Sequence, residues 1–420
     1  EGFPRAMAAG GFDVVIGNPP YVRQELLGEQ KDYLKRKYAT YQGTADLYVY
    51  FIELGIKLLR PEGLFSYIVG NKWLRANYGK PLRQWLAQQC LEEIIDFGDL
   101  PVFERATTYP CILRVRKAPP RETFTAVQVE TLEFVDLSAY VNEHRYPVSQ
   151  QALDEGVWSL VDTRTQALLD KLQRIGLPLS EYVQGKIYFG IKTGYNQAFV
   201  IDTETRNRLI AQDERSAELI KPFLAGRDVK RYEPLPQQSF LIFIPKGWTA
   251  QQSGGTKNAW KWLEENYPAI AGHLMPFEER AKKRYDQGDY WWELRACDYY
   301  AEFERPKIIF PDISLRGNFT LDDKGKIYSA NTTYLIGSSD LFLLGILNSR
   351  LITFFYRNLS ASYRGGYLRF WTQYISRMPI RTIDFADPAD VARHNRMVAL
   401  VERMLALHRD LAAANTPQSK

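Results

Sequence analysis

Apolar and polar positions in the first 120 residues alternate between short β-branched runs and stretches at helical spacing. Val14 to Ile16 form a short apolar run, the pattern of a strand buried on both faces of a parallel sheet. Leu47, Phe51, Leu54 and Leu58 recur at helical spacing, and Asp46 is placed to cap that helix. Pro61-Glu62-Gly63 ends it, and Leu64 to Val69 forms the next buried strand. A further helix carries Leu82, Trp85 and Leu86, followed by the strands Ile94–Phe97 and Ile112–Val115, before Pro119-Pro120 breaks the chain. This alternation predicts an α/β fold with part of a doubly wound sheet over residues 1–120.

A connector is expected over 121–179, with an alternating segment Phe124–Val129 and an amphipathic helix near Thr163–Ile175 that ends at Gly176. From about 180 to 385 the pattern shifts to short strands, aromatics and Arg/Lys, as in an α+β binding domain. The tail, 388–420, carries a helix whose apolar stripe is Met397, Val398, Val401, Met404, Leu405 and Leu411, and it ends in polar residues.

Composition changes this picture little. With 420 residues, 45% hydrophobic and 25% charged, the chain has the make-up of a globular protein of two or more domains. A net charge of +5 fits a polyanionic partner. Three cysteines without a CxxC pair, and four histidines, give no disulfide framework and no zinc site. Leu341–Leu347 is the longest bare apolar run, well short of the roughly 18 residues needed to span a bilayer. The expectation is a cytoplasmic protein with no membrane contact and no metal.

The chemistry is concentrated in Asn18-Pro19-Pro20-Tyr21. Gly17 releases the backbone after the first strand, at the carboxyl end where open α/β sheets place their ligands. Two consecutive prolines fix φ and remove two N–H groups, leaving carbonyl acceptors. Such a turn offers an amide side chain, free carbonyls and one aromatic face on stiff backbone. These parts suit a planar heterocycle carrying an amino group: the Asn18 oxygen and the Pro19 carbonyl each accept one amine hydrogen while Tyr21 stacks on the ring.

The run Gly-Phe-Asp-Val-Val-Ile-Gly-Asn-Pro-Pro-Tyr-Val-Arg resembles the amino-methyltransferases that carry a (D/N/S)PP(Y/F) motif. It is most similar to the adenine-specific DNA methyltransferases of type IIG restriction–modification and phage-defence systems. The resemblance implies S-adenosylmethionine as cofactor, double-stranded DNA as partner, and methyl transfer to the exocyclic nitrogen of a flipped adenine. It also implies catalytic roles for Asn18, Pro19, Pro20 and Tyr21. Asp46 and Phe51 would stand in the cofactor pocket, and Phe103 would close on the flipped base opposite Tyr21. A cofactor-binding Gly-rich turn of the Phe-x-Gly-x-Gly type does not precede Asn18, so the cofactor half is expected to be missing or to come from a partner subunit, leaving this chain inactive alone. Pro110-Cys111 superficially resembles cytosine-carbon enzymes, but Cys111 opens an apolar strand and reads as core.

Residues 185–193 come close to a phosphate-binding loop, but Ile191 separates the glycine from Lys192-Thr193. With Gly194-Tyr195-Asn196, with Ile220–Val229, Trp292–Arg295 and Arg305–Phe310, and with Gly345–Ser349, this stretch resembles a TaqI-like C-terminal specificity domain. Candidate DNA contacts are Lys192, Thr193, Asn196, Arg227, Lys230, Arg231, the cluster Arg280–Arg284, Arg316, Arg364 and Arg369. Two other readings stay open: a DNA-binding specificity module without activity, and a protein-glutamine or RNA methyltransferase that shares the Asn-Pro-Pro-Tyr turn.

Overall fold

The computed structural model describes residues 3–103, 108–151, 153–360, 362–363 and 365–414. The chain divides into two compact units, Glu1–Arg174 with Phe355–Arg369, and Ile175–Phe354 with Phe370–Lys420.

The first unit is built on one six-stranded sheet with α-helices packed on it. Its strands are β1 (Phe12–Gly17), β2 (Leu59–Gly70), β3 (Cys90–Asp96), β4 (Pro110–Arg116), β5 (Thr123–Gln128) and β6 (Tyr146–Ser149), in the order β1-β2-β4-β3-β5-β6. β1 runs parallel to β2 and β3 parallel to β5, while β4 lies antiparallel between β2 and β3. Four strands therefore share one direction, and β4 and β6 oppose them. The stretch expected to be a connector supplies β5 and β6 to this sheet, so the first unit runs on through the helix Thr163–Ile175, whose bounds match the periodicity.

Alternation along the strands sends neighbours to opposite faces. Phe65, Ile94, Leu113 and Ala126 pack with α2 (Gln30–Lys37), α3 (Tyr48–Lys57) and α4 (Lys80–Leu86) through Leu34, Ile52 and Leu82; α1 (Pro4–Ala8) precedes β1. Ile95, Ile112 and Val127 face the other way, onto Leu137 and Val141 of α5 (Leu137–His144).

Two expectations need correction here. β1 is an edge strand, not a strand buried on both faces: Val14 is 56% and Ile16 79% exposed, and only Val15 packs on the core. The apolar run records a preference for burial that the described residues do not satisfy. In α3 the buried face is Tyr48, Val49, Ile52, Gly55 and Ile56, while Leu47, Phe51, Leu54 and Leu58 are half-buried at its flank. The helix is apolar nearly all round, so spacing alone did not fix which stripe turns inward.

The second unit holds two four-stranded sheets. One pairs Tyr328–Ser329, β10 (Ile220–Leu224), β11 (Ser239–Ile242) and β9 (Val200–Asp202); the other pairs Thr320–Asp322, β12 (Lys307–Pro311), Thr333–Ile336 and β8 (Ile187–Phe189). A two-stranded ribbon joins β7 (Gly176–Pro178) to Pro379–Arg381. Lys307 is fully buried yet satisfied: its Nζ donates to the Phe303 carbonyl at 2.6 Å and to Asp322 Oδ2 at 2.5 Å. The helix Leu341–Leu347 crosses the C-terminal helix Pro388–Ala413 at Gly345, where a Cβ would stand 2.8 Å from Met397 Sδ and 2.9 Å from Val401 Cγ2. Val401 is buried and Met397, Val398, Met404 and Leu405 half-buried, as the stripe predicted, but Leu411 is exposed.

Candidate active site and nucleic-acid interface

β1 ends at Gly17, whose carboxyl side delivers the Asn-Pro-Pro-Tyr turn to the rim of the sheet. Pro19 is buried and anchors the turn, while Asn18 and Pro20 are exposed. The Asn18 side chain has no hydrogen-bond partner among the described residues, so its amide is free to serve a ligand. Tyr21 is held from two sides. Its hydroxyl donates to the Ile68 carbonyl of β2 at 3.3 Å, and its ring lies 6.4 Å from that of Tyr48 on α3. Burial pushes the Tyr21 phenol up to about 12, so it stays a neutral donor at working pH.

The Phe103 ring lies beside that of Tyr21. The ring centroids are 6.3 Å apart with planes at 68°, edge to face. A base stacked between two parallel rings needs roughly 7 Å, two stacking steps of about 3.4 Å. At 6.3 Å and 68° the two rings do not present such a parallel slot. Residues 104–107, which follow Phe103, lie outside the described residues.

Asp46 does not cap α3, whose N-cap is Leu47. Its Oδ1 instead accepts from the Gln24 backbone N–H at 3.1 Å, while the Leu47 N–H bonds to the Val22 carbonyl at 3.0 Å. The residue thus braces the segment that follows the Asn-Pro-Pro-Tyr turn. Burial raises the Asp46 carboxyl pKa, opposed by the Gln24 N–H and by the charge of Lys72. Phe51 lies outside the packed core of its unit, half-exposed on α3. Cys111 is fully buried, and burial raises its thiol pKa far up, which suits core and not a nucleophile.

The sequence reading passed over Asn71 and Lys72, which stand at the carboxyl end of β2 as Asn18 stands at that of β1. The Asn71 side chain donates to Asp96 Oδ1 at 2.7 Å and to the Gly98 carbonyl at 3.2 Å, and its backbone N–H to the Tyr109 carbonyl at 2.6 Å. One residue thereby ties the ends of β2, β3 and β4 together. The signal was available: a polar residue directly after a buried strand, at the same end of the sheet.

The candidate DNA contacts divide. Thr193 is buried at 2% exposure, its hydroxyl donating to Asn196 Oδ1 at 2.5 Å; it is a local brace and not a surface contact, a correction forced by its packing. Asn196 is exposed but spends its oxygen on that bond. Lys192 is half-exposed and 2.8 Å from Asp286. Arg227 is almost fully exposed, with Asp228 at 3.8 Å, and Arg316 is exposed. Arg369 is half-buried, its carbonyl accepting from the Tyr356 hydroxyl at 2.6 Å. Arg364 lies outside the described residues. Within the basic cluster, Arg284 is internal: it donates to the carbonyls of Thr193, Trp291 and Glu293 at 2.5, 2.6 and 2.9 Å, and burial lowers its pKa to about 10. No described helix is long and apolar enough to cross a membrane.

The first unit is a mixed α/β sheet with a proline turn at its rim, and a second mixed unit follows it in the chain; comparison with known proteins bears on both. Residues 1–103 match the Eco57I restriction-modification methylase family, and residues 221–380 match the TaqI-like C-terminal specificity domain. Relatives include the type II methyltransferase M.PaeR7I of Pseudomonas aeruginosa, 28% identical over 96% of this chain and 70% of its own length. M.BstVI of Geobacillus stearothermophilus is 25% identical over 94% of this chain and 71% of its own. Among solved structures, the type IIL restriction-modification enzyme MmeI in complex with DNA shares the fold at a TM-score of 0.59 and 14% identity; the match covers 96% of this chain and 50% of that one. Two segments of the chain thus match known families, an Eco57I-type methylase segment and, after it, a TaqI-like specificity domain, and the relatives named are type II methyltransferases.

Proposed function

We propose that this chain is the catalytic-turn and target-recognition part of a site-specific DNA adenine-N6 methyltransferase of a restriction–modification or phage-defence system. Asn18 carries the proposal: a free amide at the carboxyl end of β1, next to the aromatic place formed by Tyr21 and Phe103. Conjugation makes the exocyclic nitrogen of adenine a poor nucleophile. The Asn18 oxygen and the Pro19 carbonyl each accept one of its hydrogens, which favours a pyramidal nitrogen and stabilises positive charge developing there. Tyr21 and Phe103 replace the stacking that the base loses on leaving the duplex. The residues fit S-adenosylmethionine in part: Phe51 has a ring free of the core for stacking on the cofactor's adenine, whereas Asp46 already holds Gln24 through one oxygen. The bound cofactor supplies an electrophilic methyl group.

The uncovered edge and face of β1, with Val14 and Ile16 in solvent, favour a sheet that continues beyond this strand in the working enzyme. We assign that place to a cofactor-binding segment, from the same protein or from a partner subunit, and the sheet is then part of a doubly wound methyltransferase domain. Without it the chain is a DNA-gripping module. Methylation-sensitive sequencing of DNA from cells expressing the full-length gene tests the proposal. A methylated adenine at a fixed site, lost on Asn18→Ala, supports it; unmodified DNA, or a methylated cytosine, overturns it.

A further inference from the structure

The loop after the helical turn Glu278–Ala281 has an unusual construction. Arg284 and Asp286 are both more than nine-tenths buried, and between them Tyr285 is 98% exposed. Arg284 is fastened through the three carbonyls named above, which lie on two separate segments of the second unit. Asp286 is fastened by Lys192 Nζ at 2.8 Å and Arg295 Nη1 at 3.4 Å. Gly194 sits against the same loop at φ +71°, where a Cβ would come within 3.3 Å of Arg284 and Asp286, so the backbone there is close-fitted as well. Buried polar residues locked on both sides hold the backbone of Tyr285 still, while its ring stands in solvent, 98% exposed among the described residues. An aromatic side chain kept in water by a rigid mount gains nothing in folding; its apolar ring gains only when a partner covers it.

The surroundings say which partner. Lys192 and Arg295 are half-exposed and share a single carboxylate, so the pair keeps an excess of positive charge beside the ring. Lys283, two residues before Tyr285, is exposed and adds a further cation. Cations flanking a solvent-held aromatic match duplex DNA, whose grooves expose base edges, the thymine methyl among them, between rows of phosphates.

We infer that Tyr285 is a DNA-contacting finger: Lys192 and Arg295 engage backbone phosphates while the Tyr285 ring packs on a base at the groove. This rests on the DNA-binding reading above and adds to it a residue, a mode of contact and the charged pair that aims it.

The test is fluorescence anisotropy of the full chain with a labelled duplex, titrated at several salt concentrations between about 50 and 200 mM. Tyr285→Ala weakens binding roughly tenfold or more with the salt dependence unchanged, because the lost contact is uncharged. Tyr285→Phe keeps the wild-type affinity, because the ring remains. Lys192→Ala and Arg295→Ala each flatten the slope of log affinity against log salt by about 0.9. The thermal midpoint of Tyr285→Ala equals that of the wild type, since the ring makes no contact that folding needs. Wild-type affinity in Tyr285→Ala overturns the finger while leaving DNA binding intact, and so does equal weakening in Tyr285→Phe. A wild-type chain with no salt-dependent duplex binding overturns the DNA reading itself, and the finger with it.

Discussion

The Tyr21 hydroxyl donates to the Ile68 carbonyl at 3.3 Å, which ties the turn after β1 to the neighbouring strand. That bond holds the hydroxyl end of the ring, whose centroid lies 6.3 Å from that of Phe103. Removing the bond and removing the ring are therefore different experiments. Tyr21→Phe costs about 1 kcal/mol of stability and leaves most of the methylation. Tyr21→Ala removes the stacking face and abolishes methylation, while duplex affinity measured by anisotropy stays close to wild type.

Asn18→Ala removes a group that has no structural partner, so the thermal midpoint is unchanged. The methylation rate falls by about 10²–10³, the usual loss for one preorganised polar group at a reacting centre. Single-turnover incorporation of labelled methyl into DNA by the full-length enzyme measures it, and a rate within a factor of a few of wild type contradicts the assigned role.

Cofactor affinity separates the parts of the protein. This chain by itself binds S-adenosylmethionine weakly or not at all in calorimetry, because Asp46 is already engaged by the Gln24 N–H and Phe51 is only partly exposed. Micromolar binding contradicts that expectation.

Gly345 lets two helices of the second unit touch. Gly345→Ala puts a Cβ 2.8 Å from Met397 Sδ and 2.9 Å from Val401 Cγ2. The flexible thioether gives way more easily than the branched Val401, and the expected cost is about 1–3 kcal/mol. Met397→Ala in the same background returns part of it, read by urea denaturation.

Asp390 controls the same helix through charge. Its carboxylate is buried against Arg393 at 2.7 Å and Arg381 at 3.0 Å and accepts the Asp384 N–H at 3.1 Å; these partners lower its pKa to about 2. A carboxyl depressed in the folded state contributes stability that is complete above its ordinary value near 4. That contribution is lost as pH falls through the folded value. Acid unfolding of the wild type therefore includes a step between pH about 4 and 2 that Asp390→Asn lacks, visible by circular dichroism, with the variant the less stable of the two at pH 7.

Much of the site was legible in the sequence because it depends on local chemistry. Asn18 to Tyr21 is a turn whose two prolines fix φ at consecutive residues, and the Phe103 ring stands next to that of Tyr21. What escaped was set by partners distant in the chain. Asp46 has the composition of a helix cap, yet the Gln24 N–H, twenty-two residues earlier, claims its carboxylate. Thr193 and Arg284 look like phosphate ligands in sequence, but the carbonyl of one accepts from the guanidinium of the other across ninety-one positions. Phe124–Val129 showed its alternation plainly, but only its register with β3 makes it part of the first sheet.

The bare edge of β1 has a practical consequence. A strand with open backbone groups and two greasy side chains in water is a template for any other extended segment, including its own copy in a neighbouring molecule. Purified in isolation, this polypeptide will cling to itself through that strand. Replacing Ile16 with a charged residue is expected to keep it dispersed, with the loss of self-association read by light scattering.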